Sequence, residues 1–305
     1  MRYVLISAAH NEESFIQHTL DSVCSQTLPP ERWIVVDDGS TDRTAQIVRG
    51  YSKRFAWIEL LHRPSHMERN FAEKVHAFTE GLSRVLELDY EVIGNLDADV
   101  SFESDYLAFL IQHFAEDPAL GVAGTPFLEE DYDSARHSFE GANHVAGGVQ
   151  LFRRKCFEDI GGYTPNRAGG IDWIAVTTAR MKGWKTQSFP EKRFMHHRRL
   201  GTATRSTLAS IYAHGEKDYY LGGSPVWQLF RAAYRMKRSP TILGGLALGL
   251  GYGSSALRRM PRAVSPELMR FHRAEQMRKL RRVFQALVRL KSVEPFYLGN
   301  STIDH

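Results

Sequence analysis

The largely apolar run Tyr90 to Leu96 stops at Asp97-Ala98-Asp99, with Val100 and Ser101 directly behind. A run of that length reads as a buried strand, so two carboxylates stand at the end of a sheet interior, where alternate residues of an extended chain share a face. Carboxylates held there are costly unless donors or a cation compensate them. A hard divalent cation bridging such oxygens to a diphosphate supplies that compensation. The same triplet also suits the cap of a following helix, so its meaning depends on what surrounds it.

What surrounds it is an alternation of strands and helices. Val4 to Ser7 reads as a short strand and Ser14 to Ser25 as a helix, with Phe15, Leu20 and Val23 on its apolar face. Trp33 to Val36 is a second strand running into Asp37-Asp38-Gly39-Ser40, after which Thr41 can cap a helix through Val48. Ala56 to Leu61 and Tyr90 to Leu96 continue the strands; Phe71 to Leu86 and Tyr106 to Phe114 continue the helices. Such alternation predicts a mostly parallel sheet covered on both faces, with ligands in the crevice at the carboxyl ends of its strands. Both acidic motifs fall at those ends. Asp37-Asp38-Gly39-Ser40 also has the composition of an ordinary turn with a helix cap.

Charge is unevenly divided along the 305 residues. Positions 201–305 hold 17 Lys or Arg against 6 Asp or Glu, a balance of +11, while positions 1–200 hold 22 against 29, a balance of −7. An acidic front half argues against nucleic acid as its ligand. Cys24 and Cys156 form no disulfide framework and lack metal-ligand spacing, and the first residues show no signal-peptide pattern. A reducing cytoplasm is therefore the expected compartment. No Walker-type Gly-Lys-Ser/Thr loop is present. Gly251-Tyr252-Gly253-Ser254-Ser255-Ala256 fits a relaxed dinucleotide pattern but has no βαβ unit around it, and reads as chance.

These motifs resemble the inverting family 2 glycosyltransferases of GT-A fold. The resemblance is carried in order by Leu5-Ile6-Ser7-Ala8-Ala9-His10-Asn11-Glu12, Val35-Val36-Asp37-Asp38-Gly39-Ser40-Thr41-Asp42 and Leu96-Asp97-Ala98-Asp99. Phe152-Arg153-Arg154, Ile160-Gly161-Gly162-Tyr163, Gly170-Ile171-Asp172 and Gly183-Trp184 extend it over about two-thirds of the chain. It implies a GT-A-like (Rossmann-like) α/β catalytic domain over residues 1–200, followed by a basic helical region over 201–305. It further implies that His10 stacks on a nucleotide base in a pocket shaped by Asn11 and Glu12. Asp38 would accept a hydrogen bond from the base, and Asp37 would support the base or ribose side. Asp97 would lie near the ribose and the metal, and Asp99 would be the principal protein ligand of Mg2+ or Mn2+.

Breaking the bond from an anomeric carbon to a diphosphate leaves negative charge on the leaving group, which a divalent cation stabilises. Inversion then needs a carboxylate on the opposite face to take the acceptor hydroxyl's proton. Asp172, approached through Gly169-Gly170-Ile171 and preceding the helix-like Trp173 to Met181, is the candidate, and the resemblance puts it at the catalytic-base position. Read alone, Asp172 equally suits a helix N-cap. Family members often carry a metal-ligating His after the last strand of the domain with an Arg behind it. His196 fits that spacing better than His197, and Arg198 or Arg199 would neutralise diphosphate oxygens. Arg69 and Lys74, before the Asp-rich strand, are further diphosphate candidates, with solvated helix charges as the other reading. The turn-rich segment between Gly147 and Asp172 is the expected acceptor site and a possible lid.

The tail reads as membrane-directed. Ile242 to Leu257 is apolar over 16 residues with five glycines, short of the roughly 20 of a spanning helix. Gly245, Gly249 and Gly253 would form a smooth strip for close packing, and Lys237-Arg238 and Arg258-Arg259 flank the segment. Ser265-Pro266-Glu267 opens a basic amphipathic helix with Met269, Ala274, Met277, Leu280, Phe284, Leu287 and Val288 as its apolar stripe. Such a helix suits an anionic membrane surface or a packed flank of the protein. The Gln-x-x-Arg-Trp motif of processive synthases is absent after Arg199, so a single sugar per encounter is expected.

The tail also resembles that of family members of the exopolysaccharide or envelope-glycan type, so the expectation is an inverting, metal-dependent glycosyltransferase of envelope or exopolysaccharide assembly at the cytoplasmic face of the cell membrane. Its partners would be a nucleoside-diphosphate sugar donor, a glycan or lipid-linked acceptor and anionic lipid, with no nucleic acid. A sugar nucleotidyltransferase, whose glycine-rich N-terminal loop is missing here, and a catalytically inactive membrane scaffold are the alternatives.

Overall fold

Runs such as Val4-Leu5-Ile6 and Trp33-Ile34-Val35-Val36 are apolar at every position, so both faces of the strands they form must be buried. The computed structural model describes residues 1–64, 71–130, 132–137, 141–166, 168–198, 207–237 and 240–288, which divide into two compact units, one within 1–198 and one within 207–288.

The first unit runs β1 (Tyr3–Ala9), α1 (Ile16–Cys24), β2 (Arg32–Asp38), α2 (Thr44–Ser52), β3 (Ile58–Arg63), α3 (Phe71–Ser83), β4 (Val92–Leu96) and β5 (Val100–Ser101). It continues with α4 (Tyr106–Glu116), β6 (Leu120–Gly124), β7 (Phe127–Glu129), β8 (Tyr132–Asp133), α5 (Ser134–His137) and β9 (Val149–Arg153). It closes with α6 (Arg154–Asp159), α7 (Ile171–Met181), β10 (Lys185–Ser188) and β11 (Phe194–His196). A seven-stranded sheet has the order β10-β6-β9-β4-β1-β2-β3; β9 runs antiparallel to both neighbours and the other pairings are parallel. A second sheet, β5-β11-β7-β8, adjoins the end of β4 in sequence.

Alternate strand residues fill two separate cores. Leu5, Trp33, Val35 and Leu96 pack with Leu20 of α1 and Leu110 of α4, while Val4, Ile6, Ile34 and Val36 pack with Phe78 of α3 and Val176 of α7. The expected mostly parallel sheet with helices on both faces is what forms. One local expectation fails. Thr41 does not cap α2, whose N-cap is Arg43 without a side-chain bond; Thr41 N donates instead to Asn11 Oδ1 at 2.8 Å, tying the loop after β2 to the loop after β1.

The second unit is helical: α8 (Thr207–Tyr220), α9 (Pro225–Arg235), α10 (Leu243–Leu257) and α11 (Pro266–Val288). Glycine cost in α10 is offset by close helix contact. A Cβ on Gly251 would lie 2.0 Å from Tyr212 O, and one on Gly215 of α8 would lie 2.1 Å from Leu248 O, so these two helices cross backbone to backbone. This corrects the expected strip: Gly245 and Gly249 face Ala232 of α9, Gly253 meets nothing, and Gly251 makes the tight crossing. The helix also shows that Gly251-Tyr252-Gly253 is not a nucleotide loop. In α11, Ser265 Oγ accepts from Leu268 N at 3.1 Å, the expected cap. Its buried row is Leu268, Gln276, Leu280 and Val283, whereas Ala274 and Phe284, expected in the stripe, are exposed. Gln276 is turned inward because its Oε1 accepts from the buried Ser224 N at 2.7 Å, and burying that amide unpaired would cost more than exposing one ring. Among the described residues no helix is long and apolar enough to cross a membrane.

Candidate active site

Sheet register gathers acidic and basic side chains at the carboxyl ends of the central strands. β5 pairs β11 so that Val100 lies opposite His196, bringing the imidazole beside Asp99. His196 Nε2 is 3.5 Å from Asp99 Oδ1 and His196 Nδ1 is 3.5 Å from Glu129 Oε1. One ligand atom from each of Asp97, Asp99 and His196 lies within 4.8 Å of the others. Lys74 of α3 ion-pairs with Asp97, and Arg198 pairs with Glu12 while its Nε sits 3.5 Å from Asp99 Oδ2.

Burial pushes the Asp99 carboxyl above its ordinary range and the neighbouring Asp97 charge pushes it further; His196, Lys74 and Arg198 only partly oppose this. For Lys74, burial works to lower the ammonium's value, but the charge and hydrogen bond of Asp97, then Asp172 and Asp99, outweigh it and the net shift is upward. His196 Nδ1 and Arg198 Nε are buried and form no hydrogen bond with a described residue. Two hard carboxylates and an imidazole around a buried, negatively biased point fit a divalent cation such as Mg2+ or Mn2+.

Asp172 reaches the same region from another element. It is in the first turn of α7, whose N-cap is Gly170 at φ 80°, so the capping alternative for Asp172 does not hold. Its negative charge is favourable at the helix's N-terminal end. Gly147 packs directly on it: a Cβ there would lie 2.9 Å from Asp172 Cβ and 3.0 Å from Oδ2. Asn95 Nδ2 donates to Gly147 O at 2.8 Å, and Asp97 N donates to Gly148 O at 2.8 Å. One short loop therefore holds Asp172 against the end of β4. Gly147→Ala is expected to displace the Asp172 carboxylate, because the added methyl would meet its Cβ and Oδ2; an unmoved Asp172 side chain in a crystal structure of the variant would show that this packing does not position it.

The loops after β1 and β2 form the third part. Asn11 adopts φ 53°, His10 Nδ1 is 2.7 Å from Asp38 O, and Glu12 N donates to Thr44 Oγ1 at 2.8 Å. Asp37 is fully buried and both its oxygens are engaged, Oδ1 with Ser40 N at 3.2 Å and Oδ2 with His62 Nδ1 at 2.6 Å. Asp38 ion-pairs with Arg63, which also reaches Glu80 at 3.1 Å and Glu73 at 3.5 Å.

With this geometry in view, the comparison with known proteins is decisive at the level of family. A family model described as glycosyl transferase family 2 matches residues 4–170. The chain belongs to that family. A poly-beta-1,6-N-acetyl-D-glucosamine synthase of Staphylococcus epidermidis is 30% identical over 175 residues, covering 50% of this chain and 40% of that protein. A probable glucomannan 4-beta-mannosyltransferase 4 of Oryza sativa subsp. japonica is 23% identical over 201 residues, 58% of this chain and 36% of that protein. The chain thus spans about two-fifths of the length of these curated relatives. Among solved structures, the mannosyltransferase PcManGT from Pyrobaculum calidifontis in complex with GDP-Man and Mn2+ matches with TM-score 0.57 and 19% identity over 97% of this chain and 81% of that one. Staphylococcus aureus TarS 1-349 in complex with UDP-GlcNAc matches with TM-score 0.54 and 14% identity over 96% and 93%. These two likenesses speak for the fold.

Of the family 2 residues expected from sequence, Glu12, Lys74, Asp97, Asp99, His196 and Arg198 are linked by the ion pairs above, and His10, Asn11, Asp37 and Asp38 line the adjoining loops. Arg69 and Arg199 lie outside the described residues. His197 turns away, stacking on His18 at 4.5 Å and lying 2.8 Å from Ser101 Oγ. Its pKa is lowered by burial, then by His18 and His196.

Glu129, His62, Arg63 and Asn95 also belong to the site, as does Gly147, which the sequence marks only as the start of the turn-rich segment. No motif marks them. His62 and Arg63 matter because β3 aligns them with Asp37 and Asp38, a register that no local pattern encodes. Tyr163 closes the motif Ile160-Gly161-Gly162-Tyr163, which by itself gives the ring no role. It is nevertheless locked among Phe78, Phe152 and Phe157 and donates to Gln150 Oε1 at 2.7 Å, pinning the glycine-rich segment behind Asp172.

Proposed function

We propose that this chain is an inverting, metal-dependent glycosyltransferase that moves a sugar from a nucleoside-diphosphate donor to a glycan or lipid-linked acceptor. Its setting is envelope or exopolysaccharide assembly at the cytoplasmic face of a cell membrane. The observation that carries the catalytic reading is the convergence of Asp97, Asp99 and His196 with Lys74 and Arg198 beside them and Asp172 held behind Gly147. The names of the synthase and mannosyltransferase relatives, and the GDP-Man, Mn2+ and UDP-GlcNAc bound by the similar structures, support the donor class and the metal.

In this reading His10 stacks on the base, Asn11 and Glu12 shape its pocket, and Asp38, steadied by Arg63, accepts a hydrogen bond from the base. Asp37 supports that wall through Ser40 and His62. Asp97, Asp99 and His196 hold Mg2+ or Mn2+, which supplies Lewis-acid stabilisation of the diphosphate. Lys74 and Arg198 bring positive charge to the same oxygens. Asp172 accepts the acceptor hydroxyl's proton as that oxygen bonds to the anomeric carbon. The bond to the diphosphate breaks on the opposite face, its electron pair leaving with the diphosphate.

The test is incubation with Mn2+ and a panel of sugar nucleotides, with membrane extract as acceptor source. Release of a nucleoside diphosphate is expected. Pyrophosphate would point to nucleotidyl transfer, and no product with any donor would leave the inactive scaffold.

A further inference from the structure

α10 buries a face made mostly of small residues and leaves four of its leucines exposed. Gly244, Gly245, Leu248, Gly251, Tyr252 and Ser255 are buried, whereas Leu243, Leu246, Leu250 and Leu257 are 56%, 47%, 64% and 88% exposed. At 3.6 residues per turn the four exposed leucines fall within roughly 60° of arc, opposite the buried face. Lone surface leucines are ordinary, but a row of four is an interaction surface. α9 repeats the pattern with Val226 and Leu229, 54% and 72% exposed.

Charge selects the occupant. Positions 221–265 hold seven Lys or Arg and no Asp or Glu. Exposed Lys237 precedes α10, and exposed Arg258 and Arg259 follow Leu257 directly. A second copy would present the same cations to this face and be repelled. Anionic lipid satisfies both features, its acyl boundary taking leucines and its headgroups taking cations. Fifteen residues make about 22 Å of helix, short of the ~30 Å hydrocarbon core, so the geometry is that of a helix lying in the interface.

We propose that the outward row of α10 is a lipid-docking surface, with Leu243, Leu246, Leu250 and Leu257 in the headgroup–acyl boundary and Lys237, Arg258 and Arg259 at the headgroups. This deepens the membrane-face reading above and rests on it; it is independent of the catalytic assignments.

The experiment is flotation of the full chain with vesicles of phosphatidylcholine alone or mixed with phosphatidylglycerol, reading nucleoside-diphosphate release in the same samples. The wild type is expected to float with the mixed vesicles. Leu246→Ser with Leu250→Ser should weaken binding about a hundredfold, tenfold for each leucine. Arg258→Gln with Arg259→Gln should weaken it about thirtyfold on the mixed vesicles only. Neither pair should alter diphosphate release. Failure of the wild type to float, or flotation of the leucine variant equal to wild type, overturns the proposal. So does conversion of a dimer to a monomer by the leucine pair without wild-type flotation, since the row would then be a contact between copies. A chain that floats without releasing diphosphate keeps the docking surface and defeats the catalytic reading; release without flotation does the reverse.

Discussion

Asp99→Ala is expected to abolish Mn2+-dependent donor binding, with a loss of about a hundredfold or more, since even outer-shell partners of a metal ligand cost 10–100-fold. Asp99 is the buried carboxylate of the three-residue cluster and the point on which His196 and Arg198 both bear. Titration of sugar nucleotide with and without Mn2+, followed by calorimetry, reads the effect directly. Equal donor affinity in wild type and variant would sink the metal assignment.

The same residue makes a second signature available. Burial and Asp97 raise the folded-state pKa of Asp99 above its ordinary value of 3.8. Between those two values the folded chain binds the extra proton, so without metal the stability contributed by this site falls as pH rises through the window and stays low at neutral pH. Asp99→Asn removes that cost. Its metal-free melting temperature at neutral pH should rise above wild type, although Mn2+ no longer stabilises it. Stabilisation of the wild type by Mn2+ should in turn shrink as the pH falls and Asp99 takes its proton. A lower melting temperature for metal-free Asp99→Asn would show that the carboxylate is satisfied by the protein alone.

Asp172→Asn should give the complementary result, leaving Mn2+ and donor affinity near wild type while transfer falls about a hundredfold to ten-thousandfold, the range general bases supply. The amide keeps the shape that Gly147 packs against but does not accept the acceptor's proton. Rates of transfer measured beside donor affinity separate the two roles. Transfer close to wild type would remove Asp172 from the chemistry, and a parallel loss of donor affinity would move it to the metal or diphosphate side.

Much of the first unit could be read from local pattern. Mostly apolar runs announced β1, β2 and β4, because strands buried on both faces carry few polar positions, with Ser7 in β1 and Asn95 in β4 as exceptions. Asp38 and Asp97-Ala98-Asp99 stood out because acidic residues at the ends of such runs need compensation. Boundaries were less legible: the strand expected from Ala56 to Leu61 forms at Ile58–Arg63, and its last two residues are the ones that pair with Asp37 and Asp38. His196 could be chosen over His197 only from family spacing, and β11 shows the reason, since adjacent strand residues point to opposite faces.

In the helical unit local pattern named α10 and α11 but not α8 and α9, and misjudged the faces of the two it named. The glycines of α10 were expected at every fourth position, but the helix turns Gly251 onto α8 and leaves Gly253 open. Which face is buried depends on which neighbour approaches, and hydropathy alone would have put the leucines inside.

Composition and periodicity thus settled β1 to β4, α1 to α4, α7, α10 and α11 and the acids that follow β2 and β4, because burial and backbone geometry act over a few residues. Tertiary packing alone decided that β9 enters antiparallel, that Gly147 meets Asp172, that Arg63 holds Asp38 and that leucines of α10 face outward. Those outcomes are set by register and by helix approach, contacts between residues far apart in the chain that no local window contains.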